Sequence, residues 1–235
     1  MIKIEIARLP IAIDNKYGYL PYIAKDYLTD KEPLFEVSAT EEQMQSELSL
    51  LSEPMDRKYL EASAVFRSIG EELPLYSAFV FHGAVIALDG VAYAVTARSG
   101  VGKTTHLSLW LREFGDRVHI LNGDKPILRI IDGKVYACAT PWRGKEGYGV
   151  NEMLPLGGIA FLKRAETNSA ARLSPSEALF DFLSQIYIPK RSDTAKLALS
   201  LADSILKSVP LYALFVNMDK EAARVAMNAF VHNKF

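Results

Sequence analysis

A short run of small residues at 97–104 has the spacing of a phosphate-binding loop. Such loops read glycine, any four residues, then Gly-Lys-Ser/Thr. This chain has Ala97 at the first position, followed by Gly102, Lys103 and Thr104 in register. Glycines let backbone amides approach phosphate oxygens, the lysine supplies a positive charge and the threonine hydroxyl can coordinate Mg²⁺. The run therefore predicts binding of nucleotide phosphates. The predicted cofactor-binding residues are Ser99, Gly100, Val101, Gly102, Lys103, Thr104 and Thr105.

The segments that flank this run have the character that such a loop requires. Residues 91–96 are apolar and rich in β-formers, and residues 104–114 place Leu107, Trp110 and Leu111 on one helical face. The alternative is a glycine turn that only precedes a structural helix. The order strand, loop, helix favours the phosphate site.

The strand before the loop is predicted to be one arm of a β-hairpin. Residues 84–88 form another apolar run, and Asp89-Gly90, a favoured two-residue turn, joins it to residues 91–96. Ordinary P-loop nucleotide hydrolases reach that strand through a parallel crossover instead. The sequence therefore indicates a different fold that uses the same kind of loop.

An acidic residue follows the next predicted strand, roughly 20 residues beyond the phosphate lysine. The strand at 117–121 leads into Asn122-Gly123-Asp124-Lys125. An acid at the end of a buried strand can hold Mg²⁺ or its water ligands. Aspartate also favours turns of this composition for purely structural reasons. Because it accompanies the glycine-rich loop, Asp124 is predicted to be functional.

Two other segments carry candidate side chains. The loop at 140–149 has three glycines together with Arg143 and Lys145, and such cations can stabilise a transferring phosphoryl group. It could equally be a solvated loop whose Trp142 packs inward. His82-Gly83 stands directly before the hairpin, where a lone histidine is more often structural than catalytic.

The composition describes an ordinary soluble globular protein. The chain has 235 residues, 49% of them hydrophobic, and a net charge of −1, which argues against a nucleic-acid partner. It has a single cysteine, Cys138, interpreted as a small core residue, and no apolar run near 20 residues. With no signal-like start at residues 1–10, we expect a cytoplasmic protein without a membrane partner.

The remaining pattern predicts a mixed α/β fold with α+β character, in which β-hairpins, the P-loop and flanking helices surround a mixed sheet. Residues 1–75 are expected to be an α+β lead-in packed on the core, and residues 76–235 a nucleotide-binding core with a helical C-terminal part. Capping-box sequences begin at Thr40 and Ser174. Predicted strands are at 2–6, 127–131, 134–139, 156–161 and 209–216, and predicted helices at 41–51, 56–69, 174–186, 194–207 and 220–230.

Residues 78–165 resemble the HPr kinase/phosphorylase family and its wider group, which shares a P-loop fold with phosphoenolpyruvate carboxykinase. The resemblance rests on His82-Gly83 before the hairpin, the loop at 99–104, Asp124, and Arg143-Gly144. It implies use of ATP or ADP with Mg²⁺ and transfer of a phosphoryl group to or from a hydroxyl. By position, Lys103 would bind phosphates and Thr104 and Asp124 the metal.

The catalytic residues that the resemblance implies are His82 and Asp124 around the attacking hydroxyl, and Arg143 on the transferring group. The family usually has two adjacent acids, whereas Gly123-Asp124-Lys125 supplies one. No counterpart of the HPr-docking helix is found, so the expected acceptor is not HPr. A carboxykinase activity would need a further set of metal ligands, for which the histidines have no convincing spacing.

The sequence thus predicts a short, ATP- and Mg²⁺-dependent kinase acting on a serine- or threonine-type hydroxyl, free or in a peptide or protein. Its partners would be a nucleotide and this acceptor, and an oligomer is compatible with the sequence. The alternative is an ATP-binding sensor module with little or no transfer activity, which the missing second acid favours.

Overall fold

The computed structural model describes residues 1–97 and 100–232. Its strands are β1 (Ile2–Ile6), β2 (Leu9–Asp14), β3 (Phe35–Ser38), β4 (Ala78–Val80), β5 (Ala84–Leu88), β6 (Val91–Thr96), β7 (Val118–Asn122), β8 (Ile127–Ile131), β9 (Lys134–Cys138), β10 (Met153–Arg164), β11 (Ser169–Leu173) and β12 (Leu211–Val216). Its helices are α1 (Tyr19–Ile23), α2 (Glu41–Ser49), α3 (Arg57–Glu72), α4 (Lys103–Phe114), α5 (Pro175–Leu183), α6 (Ser192–Ser208) and α7 (Glu221–His232). In these two ranges, no helix combines the length and apolarity needed to cross a membrane.

The strands form two sheets, of three and nine strands. The small sheet has the order β1-β2-β3, with β1 antiparallel and β3 parallel to β2. The large sheet follows the path β4-β8-β9-β10-β6-β5-β7, with β12 also on β10 and β11 on β12. Helices flank this mixed sheet, so the predicted mixed α/β fold is confirmed.

The long strand β10 joins two halves of the large sheet. Its first residues, 153–155, pair antiparallel with β9, and residues 159–164 pair parallel with β12. Residues 156–161 run parallel to β6, with a bulge at Gly157, so residues 159–161 pair with β6 on one edge and β12 on the other. A Cβ on Gly157 would lie 2.6 Å from Val91 Cγ1 and 2.8 Å from Tyr93 Cε1, so the close approach of β6 depends on this glycine.

Both predicted Asp-Gly hairpins are present. Asp89 and Gly90 connect β5 to β6 with φ values of 49° and 80°, and Asp132 and Gly133 connect β8 to β9 with 48° and 74°. Two successive left-handed residues match the right-handed twist of a hairpin. The strand that leads into the glycine-rich loop is therefore a hairpin arm.

The large sheet has a hydrophobic core on each face. Because side chains alternate along a strand, Val85 and Ile159 face the first core, whereas Ile86 and Ala160 face the second. The first core lies against the small sheet, α3, α5 and α6, and the second lies under α4 and α7. The loop residue Trp142 packs against the first core.

Other predicted elements agree with the structure within a few residues. Both capping boxes form, Thr40 with Gln43 and Ser174 with Glu177. Helix α3 continues two residues past Gly70, where a Cβ would lie 2.8 Å from Tyr187 Cδ1, so this glycine serves packing. Cys138 is buried at the end of β9, and burial raises the pKa of its thiol to about 12.

The N-terminal region contains elements that the sequence pattern does not reveal. Strand β2 begins at Leu9 and includes Pro10, after a tight turn at Ala7 and Arg8, whose φ values are 52° and 58°. Helix α1 and strand β3 fall within residues 15–40, which have no clear period. The division of the chain at residue 75 stays a prediction.

Candidate functional site

The glycine-rich loop lies between the end of β6 and the start of α4. Gly100 and Gly102 have φ values of 78° and 118°, a backbone that glycine adopts readily and other residues rarely do. Ala97 is buried and is not among the described residues with positive φ, so alanine is accommodated there. Ser99, a predicted ligand, lies outside the described residues.

The first turn of α4 presents backbone amides with no partner within the helix. The first helical bond runs from the His106 amide to the Gly102 carbonyl at 2.9 Å, and no described side chain caps the helix at Gly102. The amides of Lys103, Thr104 and Thr105 therefore precede the helical hydrogen-bond ladder. A helix start of this kind favours a bound anion.

Three of the predicted side chains come together beside this loop. His82 Nε2 lies 3.3 Å from Lys103 Nζ and 3.5 Å from Asp124 Oδ1. The same nitrogen can accept from the lysine or donate to the carboxylate, depending on which ring nitrogen carries the proton. The backbone holds this arrangement, because the His82 amide donates to Gln185 (2.7 Å) and the Gly83 amide to Asp124 (3.0 Å).

The environment shifts the pKa values of both charged partners. Burial lowers the pKa of Lys103 from 10.5, and the charges of Asp124 and Glu146 act against that shift. Burial alone would raise the pKa of Asp124, but the His82 hydrogen bond and the nearby Lys125 and Lys103 outweigh it and lower the pKa. Asp124 is therefore ionised at neutral pH and available to accept a proton or a metal.

Asn122 holds Asp124 in place, although the sequence analysis assigned Asn122 no function beyond the turn. Its Oδ1 accepts from the amides of Asp124 (2.9 Å) and Lys125 (2.8 Å). Its Nδ2 donates to the Thr140 carbonyl at 3.1 Å, and both side chains are fully buried. The asparagine thus connects the end of β7 to the start of the loop at 140–149.

The loop at 140–149 is hydrogen-bonded to the end of β7, but the side chain of Arg143 points away from the other candidate residues. The Gly123 amide donates to Tyr148 at 3.0 Å, and a Cβ on Gly144 would lie 3.0 Å from the Cβ of Asp124. The Arg143 guanidinium, however, donates to Asp26 at 3.2 Å and lies over the Tyr27 ring. Arg143 therefore pairs with the N-terminal region, and it is not part of the group formed by His82, Lys103 and Asp124.

Glu146 and Arg164 are two site residues that sequence reasoning missed. The Thr104 hydroxyl lies 3.4 Å from Glu146 Oε1. Arg164, at the end of β10, donates to the carbonyls of Val101 (Nε, 3.1 Å) and Gly100. Glu146 lies in the loop at 140–149, which was already a candidate because of its cations, so its position in that loop could have identified it. No sequence signal identifies Arg164, because its contact with the loop depends on the pairing of β10 with β6.

The donor set suits a metal that arrives with phosphate. The described residues contain no group of three or more His, Cys, Asp or Glu side chains that could hold a metal ion alone. Mg²⁺ bound to nucleotide phosphates needs only one or two protein oxygen ligands. The Thr104 hydroxyl and the carboxylates of Glu146 and Asp124 are of the right type.

Two of the clefts beside the candidate site contact its glycine-rich loop and its carboxylate. One, of about 450 Å³, is lined by Gly100–Gly102, Thr105 and Arg164, and it continues to the ends of β10 and β12. The other, of about 600 Å³, is lined by Asp124 and Arg143 and extends toward α1 and α3. Both volumes are within the range of small-molecule sites.

Comparison with known proteins gives a distant structural likeness and no sequence match. No known family's sequence profile matches the chain, and no curated protein matches it in sequence. The solved structures that match include the HPr(Ser) kinase/phosphatase from Coxiella burnetii, with a TM-score of 0.41 and 11% identity. The match covers 66% of this chain and 99% of that one. A likeness of this degree carries no conclusion about function.

Proposed function

We propose that this chain is an ATP-dependent phosphotransferase that moves the γ-phosphoryl group to a hydroxyl. The observation that carries the proposal is the grouping of Lys103, His82 and Asp124 at the start of α4. A phosphate-binding cation and a carboxylate that accepts a proton are the two groups that such a transfer requires.

Each residue has a specific task in the proposed reaction. The amides at the start of α4 and the Lys103 ammonium would bind the β- and γ-phosphates, and the 450 Å³ cleft would receive the nucleoside. The acceptor oxygen forms a bond to the γ-phosphorus, and the bond between that phosphorus and the bridging oxygen of ADP breaks. The acceptor proton passes to Asp124, while His82 keeps this carboxylate oriented.

Three residues beside the glycine-rich loop have side chains that could hold a magnesium ion in the proposed reaction. Thr104, Asp124 and Glu146 would hold it, and Glu146 could supply the second acid that is missing after β7. When bound, Mg²⁺ would neutralise charge on the phosphate oxygens. Arg143 would reach the transferring group only after leaving Asp26, so in the observed arrangement it would orient the acceptor instead.

A nucleotide sensor without efficient transfer is the second candidate. The Arg143–Asp26 ion pair favours it, because the predicted cation for the transferring group is engaged elsewhere. Both candidates require nucleotide binding, and they differ in turnover.

The nucleotide site is tested by calorimetric titration of Mg-ATP, Mg-ADP and Mg-GTP into the wild type and Lys103→Ala. A hydrogen bond to a charged group contributes about 1.5–3 kcal/mol, so we expect the variant to bind at least tenfold more weakly. Lys134→Ala, an exposed lysine in the β8–β9 hairpin, should bind like the wild type. Equal affinity in Lys103→Ala and the wild type would refute the site.

Asp124→Asn separates the kinase from the sensor. Loss of a general base costs roughly 10²–10⁴-fold in rate, so phosphoryl transfer should fall at least a hundredfold. Some nucleotide affinity should remain, because Lys103 and the amides at the start of α4 are unchanged. Transfer is measured with radiolabelled ATP and hydroxyl acceptors. Steady ATP consumption in Asp124→Asn would show that the proton-accepting task is wrongly assigned.

A further inference from the structure

The acceptor of a phosphotransferase must reach the catalytic carboxylate from a side that the nucleotide leaves open. Asp124 lines the 600 Å³ cleft, named here the acceptor cleft, and its carboxylate also faces His82, which adjoins Lys103. None of the described residues of the glycine-rich loop lines this cleft. A hydroxyl in the acceptor cleft would therefore approach Asp124 from a side that neither His82 nor Lys103 occupies.

One wall of the acceptor cleft is aromatic and apolar. Tyr19 and Tyr59 pack edge to face, with ring centroids 4.6 Å apart, and Tyr22 and Met55 extend the wall. Tyr22 is 72% exposed and Met55 43%, so both offer surface that nothing in the described chain covers. Tyrosine faces and methionine favour a flat apolar or aromatic group.

The charge of the acceptor cleft is positive. Four basic side chains and two carboxylates line it. Arg143 is paired with Asp26, and Lys125 lies 3.9 Å from Asp124. Lys25 and Lys145 form no ion pair with a carboxylate of the described residues. These two lysines are therefore free to bind an anionic group, which the net charge of the cleft would attract.

We propose that the acceptor is a small hydroxyl compound that carries both an anionic group and a flat apolar group, and that it binds in the acceptor cleft. The inference rests on the proposed function for its chemistry, but its binding can be measured without nucleotide. A small compound is favoured over a folded protein because α1 and α3 bound the cleft on one side and the loop at 140–149 on the other. Its volume also suits a molecule of that size.

N-benzoyl-L-serine is a suitable probe, since it combines a hydroxyl, a carboxylate and an aromatic ring. N-benzoyl-L-serinamide lacks the charge, and N-acetyl-L-serine lacks the ring. Calorimetry without nucleotide should show the first compound binding at least tenfold more tightly than either relative. With Mg-ATP, it should also be phosphorylated with at least tenfold higher kcat/KM.

Substitutions at two exposed residues of the acceptor cleft test whether the acceptor binds there. Tyr22→Ala and Lys25→Ala should each weaken N-benzoyl-L-serine binding at least fivefold and leave Mg-ATP affinity unchanged. Phe180→Ala and Lys134→Ala remove an exposed ring and an exposed lysine outside the cleft, and both should behave like the wild type.

The outcomes distinguish this inference from the proposed function. If N-benzoyl-L-serine binds no better than its relatives, or binds Tyr22→Ala and Lys25→Ala as tightly as the wild type, the acceptor assignment is wrong even where Mg-ATP binds. Phosphorylation of a folded protein but of none of the three compounds would also overturn it. Absence of nucleotide binding would refute the proposed function, while cleft binding would still be decided by the titration without nucleotide.

Discussion

His106 is the fourth residue of α4, the helix that follows the glycine-rich loop, and its side chain is only 2% exposed. Its Nε2 accepts a hydrogen bond from Trp110 Nε1 at 3.0 Å, and burial lowers its pKa from 6.5 to about 4. The imidazole is therefore neutral in the folded protein at pH 5–7. In the unfolded chain it would take up a proton near pH 6.5.

This difference predicts a loss of stability as the pH falls. Between pH 6.5 and 4 the unfolded state binds more protons at His106 than the folded state, so the free energy of unfolding decreases with decreasing pH. From pH 7 to pH 5 the decrease from this residue is about 2 kcal/mol, at about 1.4 kcal/mol per pH unit below the unfolded pKa. Urea unfolding at the two pH values measures it.

The matched variants are His106→Gln and His232→Gln. Glutamine at 106 can still accept from the Trp110 indole but does not titrate, so the pH dependence should shrink by that amount. His232 is exposed at the end of α7, and its replacement should leave the dependence as in the wild type. If His106→Gln lost stability with falling pH as the wild type does, protonation of His106 would not be the cause.

At the scale of elements, the sequence predicted the turns and helix starts that depend on only a few neighbouring residues. The Asp-Gly turns and the capping boxes at Thr40 and Ser174 are complete within a few residues, so the sequence alone identified them. Strand β2 and the turn at Ala7 and Arg8 depend on pairing with β1, and neither residue is a usual turn former. The periodicity of a segment does not predict which other strand it pairs with.

The same limit applied to the candidate site. Lys103 and Asp124 were identifiable as candidates because each follows a recognisable strand or loop, whereas His82 was included only through the family resemblance. The ion pair of Arg143 with Asp26 spans 117 positions, and the contact of Arg164 with Val101 spans 63. Such contacts require the folded arrangement of β10, β6 and the N-terminal region, which no local pattern encodes.

Gly157→Ala tests the bulge in β10. The new Cβ would lie well inside van der Waals distance of Val91 and Tyr93, so either β6 or the bulge must shift. Overpacking of this kind costs about 1–3 kcal/mol. Chemical denaturation should therefore show a loss of stability in that range.

Gly18→Ala is the control for this substitution. Gly18 has a φ of −71° and no atom within 4 Å of the position of a Cβ, so its stability should change by no more than about 0.5 kcal/mol. Equal stability of Gly157→Ala and Gly18→Ala would mean that the sheet relaxes around the bulge without cost.

At the scale of the whole molecule, each core has its own tryptophan. Trp110 is fully buried in the second core, and Trp142 stacks on Phe66 of α3, at 4.3 Å between ring centroids, beside the first. The Trp142 indole also donates to the Ala62 carbonyl at 3.0 Å. Trp142 therefore reports on the contact between α3, in the N-terminal region, and the loop that follows β9.

We expect the N-terminal region and the large sheet to unfold together, because one continuous core contains residues of both. Trp110→Phe leaves Trp142 as the fluorescent reporter, and Trp142→Phe leaves Trp110. In each variant the denaturation midpoint from fluorescence should coincide with that from far-ultraviolet circular dichroism. An earlier Trp142 transition would instead identify residues 1–75 as a unit that unfolds on its own.

The burial of Cys138 makes the molecule suitable for site-directed labelling. Thiol reagents attack the thiolate, which a buried cysteine with so high a pKa scarcely forms at neutral pH. It is also the chain's single cysteine. Cysteines introduced at two exposed positions, such as the tip of the β8–β9 hairpin and α1, would then be the reactive thiols. Dyes or spin labels attached to this pair could follow a distance in the native protein without first removing a natural cysteine.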